Sequence, residues 1–156
     1  MSGTVFVDTN VLVYVRDRTD EGKQRRAAEW MATLWDESRG RISAQVLQEY
    51  YVTLTRKLDP PRSREEARDD VASLSTWNPV LPDAAVMEKA WEVEDRYGLS
   101  WWDALIVAAA LAAECRWLLT EDLQDGQDFF GLTVVNPFRR APRELRDAPP
   151  LPGAEG

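Results

Sequence analysis

A chain of 156 residues, 44% hydrophobic and 29% charged, has the size and balance of one globular domain around one core. The absence of histidine excludes Ser-His and Cys-His nucleophilic catalysis and histidine-ligated zinc, and the single Cys115 excludes an internal disulfide. The formal net charge of −8 argues against a broadly basic nucleic-acid face, although metal ions at clustered acids would offset part of it. Hydrolysis in such a chain must use carboxylates, hydroxyls, lysine, or an ion held by oxygen ligands.

Residues 4–7, Thr-Val-Phe-Val, read as a short buried strand, followed by Asp8-Thr9-Asn10 and an apolar helix over 11–15. The segment 21–38 has helical spacing, with Ala27, Trp30, Met31, Leu34 and Trp35 along one side, and Gly40 stops it. Arg41-Ile42 reads as a second strand. Ser43 suits the N-cap of a helix running to residue 57, with Val46, Leu47, Tyr50 and Leu54 on its apolar stripe. Asp59-Pro60-Pro61 is a turn. Residues 63–77 form a polar amphipathic helix, 79–81 a candidate strand, and Asp83 caps a helix that Gly98 stops. Ser100 opens an apolar helix over 101–114. Strands over 116–119 and 132–135 follow.

Alternating strands and helices predict an α/β domain with a parallel sheet covered by helices. Ligands of such sheets lie beyond the carboxyl ends of the strands. Asp8 ends the first strand, and Thr120, Glu121 and Asp122 end a later one, so neighbouring strands would bring these acids to one mouth. The longest apolar run, 104–113, is about half a membrane span. The opening residues lack a signal-peptide pattern. These features predict a soluble, cytoplasmic protein with no membrane partner.

Each acid has a plain alternative role. Asp8 suits a helix N-cap as well as a metal ligand. Glu49 falls beside the apolar stripe of its helix and suits an ion pair with Arg56 as well as a site. Asp103 is the one ionisable residue over 101–113, where the helix is apolar all round. A buried lone carboxylate there needs a partner or an ion, although Ser100-x-x-Asp103 also has the form of a capping box. Asp122 taken alone suits loop solvation. Together the acids suit one or two Mg²⁺ or Mn²⁺ ions, which activate water and stabilise charge on a phosphodiester.

Phe6-Val7-Asp8-Thr9-Asn10-Val11-Leu12-Val13-Tyr14 resembles the opening of PIN-domain nucleases, particularly VapC-type toxins. The segments Ser43-Ala44-Gln45-Val46-Leu47-Gln48-Glu49-Tyr50, Trp102-Asp103-Ala104-Leu105-Ile106 and Leu118-Leu119-Thr120-Glu121-Asp122 resemble the later acidic motifs in order. Val134-Val135-Asn136-Pro137-Phe138 resembles the usual last strand. The resemblance implies a PIN-like three-layer α/β/α fold with a central mostly parallel sheet over 1–140, leaving 141–156 as a flexible tail. It implies a Mg²⁺- or Mn²⁺-dependent endoribonuclease, with Asp8 and Asp103 as principal ligands and Glu49 and Asp122 as supporting acids. Asn10 and Thr120 match the accessory polar positions, while Asp125 stands where relatives often have histidine. The implied partners are an RNA substrate, a small cognate antitoxin and a second copy in a homodimer. Trp30 and Trp35 lie on the helix nearest the implied antitoxin groove, where exposed aromatics would suit a binding helix. Trp101, Trp102 and Trp117 read as core. The rival readings are a PIN-fold binding module without chemistry and an aspartyl-phosphate phosphatase. The phosphatase lacks its second acid, because Asn10 stands there.

Overall fold

A computed structural model describes residues 3–146. Among these, five strands form one sheet: β1 (Val5–Val7), β2 (Gly40–Arg41), β3 (Trp117–Leu119), β4 (Asp128–Phe129) and β5 (Leu132–Val135). Their order is β2-β1-β3-β5-β4, parallel except where β4 runs against β5. Every residue of β1 and β3 is buried, the signature of a parallel sheet covered on both faces. The cover comes from α1 (Thr9–Arg16), α2 (Glu21–Asp36), α3 (Ala44–Val52), α4 (Arg64–Leu74), α5 (Ala84–Tyr97) and α6 (Trp101–Ala112). Helix α1 packs on α2 and α3, α3 packs on α4, and α5 packs on α6. The three-layer α/β/α arrangement expected from the sequence is the one observed.

The differences have local causes. The strand expected at 79–81 is reduced to one parallel bridge, Ser43 to Val80. Val80 exchanges main-chain bonds with Ile42 and Ala44, but the prolines on either side, Pro79 and Pro82, carry no N–H to extend a ladder. The second strand begins at Gly40. A Cβ at Gly40 would overlap the ring of buried Trp77, so only glycine lets the strand pass there. The helix expected to reach residue 57 gives way at Thr53 to a π-helical turn, Thr53–Lys57, in which the Leu58 N–H reaches back to the Thr53 carbonyl.

Strand β4 was not anticipated. It joins β5 through a two-residue turn in which Phe130 and Gly131 both have positive φ, 52° and 93°. The usual signal is Asn-Gly; here a phenylalanine takes the strained position. The Tyr97 hydroxyl accepts from its N–H, and Lys89 and Arg96 lie over its ring.

The first residues beyond 140 form a short helix, α7 (Pro142–Arg146), with Leu145 buried. The remainder of the expected tail, 147–156, lies outside the described residues. The tryptophans also divide differently from the sequence reading. Trp117 is core as expected, and Trp101 is half-buried, but Trp102 is 63% exposed. Trp30 is buried instead of exposed, its indole N–H donating to the Pro137 and Arg140 carbonyls, whereas Trp35 reaches the surface.

Candidate active site

The site starts from the pairing of β1 with β3. Asp8 follows β1 and its N–H donates to the Leu119 carbonyl at 3.0 Å, which locks the two strand ends together. Asp8 caps α1, taking a 2.7 Å bond from the Thr9 N–H on Oδ1. Its Oδ2 accepts from the Thr120 hydroxyl at 2.8 Å, across a sequence gap that the parallel register closes. The N-cap role therefore engages Oδ1 of Asp8, while Oδ2 faces Thr120 and Asn10.

Asn10 ties the mouth together. Its amide nitrogen lies 3.0 Å from Thr120 Oγ1, 3.0 Å from Asp122 Oδ2 and 3.3 Å from Asp8 Oδ2. Its carbonyl oxygen accepts from the Glu121 N–H. The Thr120 hydroxyl in turn accepts from the Asp122 N–H at 3.1 Å. A second frame holds Glu49. The Thr9 hydroxyl donates to Oε2 at 2.7 Å, and Gln45, one helical turn earlier on α3, donates to Oε1 at 2.9 Å. Glu49 is thus turned toward Asp8's side of the sheet, not paired with Arg56.

The burial expected for Asp103 belongs to Asp8. Asp103 sits in the first turn of α6, half-buried, and its N–H donates to the Ser100 hydroxyl. The fully apolar stretch starts one residue later, at Ala104. Asp8 is 7% exposed, and its carboxyl is pushed up to about 7. Burial is the main cause; the bonds from Thr120 and Thr9 oppose it, and the charges of Asp122 and Glu49 add to it. Asp122 is also raised, by burial first, against its bond from Asn10, and then by Glu121, Asp103 and Glu49. Like charges thus crowd this mouth, with Asp122 and Glu49 acting on Asp8, and Glu121, Asp103 and Glu49 acting on Asp122.

Sequence reasoning named Asn10 and Thr120 but not the residues that hold the frame from outside. Tyr14 and Lys23 both donate to Glu121, at 2.7 and 2.8 Å, beside the loop that carries Asp122. Thr9 and Gln45 were also missed as donors to Glu49, although the Gln45–Glu49 spacing is itself a signal. Asp125 is a structural residue. It accepts from the Asn136 N–H and pairs with Arg140, and these bonds outweigh burial to hold its carboxyl low. Cys115 is buried, and burial pushes its thiol up to about 11, which leaves it inert as a nucleophile.

Residues 5–124 match the family model of the PIN domain. This chain belongs to the PIN domain family. The matched span contains all four acids with Asn10 and Thr120, and it ends just before Asp125. Solved PIN-like structures share the fold. A toxin-antitoxin complex from Klebsiella pneumoniae is 22% identical, with a TM-score of 0.62 over 86% of this chain and 98% of that one. The FitAB complex bound to an IR36 DNA fragment is 20% identical, with a TM-score of 0.64 over 86% and 96%. VapC20 of Mycobacterium tuberculosis, described as a sarcin-ricin loop cleaving toxin, is 21% identical, with a TM-score of 0.54 over 74% and 87%. No curated protein sequence matches the chain.

The donor set of this PIN site fits a hard divalent cation: carboxylates, a hydroxyl and an amide oxygen, with no nitrogen or sulfur ligand. Among the described residues, no group of three His, Cys, Asp or Glu has the spacing of a directly ligated ion. Mg²⁺ needs only one or two direct carboxylates and keeps several waters.

Proposed function

We propose that this PIN-domain chain is a metal-dependent endoribonuclease and the toxin of a toxin–antitoxin pair. One observation carries the nuclease reading: a buried carboxylate, Asp8, held at a sheet mouth beside like charges and pushed up to about 7. Such an arrangement costs folding free energy unless a cation relieves it. Asp8 and Asp103 would hold Mg²⁺ or Mn²⁺, with Glu49 and Asp122 supporting them directly or through water. Held there, such an ion would lower the pKa of a water and offset charge at the phosphodiester.

The chain's own residues keep the acids ready. The Thr120 hydroxyl proton is committed to Asp8 Oδ2, which favours the ionised carboxylate. Asn10 fixes the spacing of Asp8 and Asp122. Thr9 and Gln45 occupy one oxygen each of Glu49 and fix its orientation. With no histidine in the chain, these carboxylates are the groups available to move a proton from attacking water.

The toxin reading is supported by the similar structures, which are described as toxins or toxin complexes. An antitoxin helix would dock on the cleft lined by Leu12, Val15, Met31, Trp35 and Leu74, where Trp35 is the exposed aromatic. A homodimer and a cytoplasmic location belong to the same proposal. No helix among the described residues is long and apolar enough to cross a membrane.

The test is RNA cleavage by purified protein with EDTA and with Mg²⁺ or Mn²⁺ restored. The reading requires cleavage that EDTA abolishes. A folded protein that binds an antitoxin but never cleaves RNA would be a binding module, and release of phosphate from small phosphomonoesters alone would be a phosphatase.

A further inference from the structure

Two features flank Glu49 that the acid chemistry does not use. On one side lies a groove lined by Thr9, Gln48, Glu49, Val52, Thr53 and Lys57. Lys57 ends the π-helical turn that follows α3. The chain has three lysines, and two are neutralised: Lys23 by Glu121 and Lys89 by Glu92. Lys57 is exposed and has no carboxylate partner among the described residues. In a chain of net charge −8, an unpaired ammonium lining the same groove as an active-site acid is a position for an anion.

On the other side stands Trp102, immediately before Asp103 and 63% exposed. The Gln45 amide that holds Glu49 also lies 3.5 Å from the Trp102 carbonyl oxygen. A large indole left in water one residue before Asp103, on a helix buried from Ala104 through Ala110, is not explained by packing. It is a flat, sequence-tolerant surface for a nucleobase.

Building on the nuclease reading, we propose that a single nucleic-acid strand crosses the acid cluster between these two contacts, with a backbone phosphate on Lys57 and an unpaired base stacked on Trp102. Each contact serves a different part of the nucleotide, and Glu49 lies between them. A base held in a duplex cannot present its face to Trp102, so the pair of contacts selects unpaired RNA.

The experiment measures binding of a short fluorescein-labelled single-stranded RNA of mixed sequence by anisotropy, in EDTA, to the full chain. Trp102→Ala should weaken binding roughly 5-fold to 100-fold, and Trp102→Phe should restore most of it. The Trp102→Ala penalty should vanish against an oligonucleotide of abasic spacers. Lys57→Gln should reduce the slope of log Kd against log salt by about 0.7, the loss of one single-strand phosphate contact. Thermal melting of both variants should match the parent. Unchanged binding by either variant overturns the proposal. So does a Trp102→Ala variant that binds RNA as the parent does but shifts in sedimentation, which would make this face a contact between copies. Loss of metal-dependent cleavage in the parent with these binding effects intact would instead overturn the nuclease reading alone.

Discussion

The Thr120 hydroxyl donates to Asp8 Oδ2 at 2.8 Å, although 112 positions separate the two residues. The parallel register of β1 and β3 produces this contact, and it is the strongest force lowering a carboxyl that burial raises. Replacing Thr120 with valine keeps the volume and removes the donor. The Asp8 pKa should then rise further, because a bond to the charged form has been lost. We expect the acid limb of the RNA-cleavage pH profile to move to higher pH and cleavage at neutral pH to fall roughly 10-fold. A profile that superposes on the parent's would separate Thr120 from the chemistry.

Stability in the absence of metal should depend on pH through Asp8. Its folded value, about 7, lies above the unfolded value near 3.8, so the folded state holds more protons between these limits. Stability therefore falls as pH rises from about 4 to about 7, then levels, by an amount on the order of a few kcal/mol. Asp8→Asn should flatten this part of the curve and raise the melting temperature at pH 8. Urea unfolding in EDTA across this pH range checks the sign; stability that climbs between pH 5 and 7 would refute it.

Gly40→Ala tests the packing of the sheet edge. The added methyl meets the Trp77 ring, which is confined beneath Trp35 at a centroid distance of 4.7 Å. The ring is buried and packed against Trp35, so we expect a loss of about 1–3 kcal/mol in urea unfolding. The acid cluster lies at the other end of β1, and cleavage by the folded fraction should be little changed.

Much of this architecture is legible in the sequence because the apolar runs are unambiguous. Val5-Phe6-Val7 and Trp117-Leu118-Leu119 are buried on both faces and read directly as central strands. Strand β4 is hidden because its turn uses Phe130 where Asn or Gly is usual. For the site, the apolar surroundings of Asp103 pointed to burial, yet periodicity cannot tell the exposed first turn of a helix from its buried body. The burial of Asp8 comes from strand pairing and from Thr120, contacts that no local pattern reveals. The Tyr14–Lys23–Glu121 clamp is likewise a product of tertiary structure.

That clamp gives a separable prediction. Lys23 is partly exposed, so its pair with Glu121 should contribute no more than about 1 kcal/mol to stability. Its larger role is to hold the loop that carries Asp122. Lys23→Met should leave urea unfolding nearly unchanged while lowering kcat/KM for RNA several-fold, about 1 kcal/mol of transition-state stabilisation. Equal losses in stability and activity would reduce the clamp to a packing feature.

Calorimetric titration of Mn²⁺ into metal-free protein near pH 6.5 probes the proposed cation site of Asp8 and Asp103, with Glu49 and Asp122. We expect saturable binding with release of protons, seen as a heat that changes with the ionisation enthalpy of the buffer, because a carboxyl near 7 must ionise to bind. Asp8→Asn and Asp103→Asn, each confirmed folded, should abolish or severely weaken that binding. Mn²⁺ binding of parental affinity in both variants would rule out a cation site at these acids.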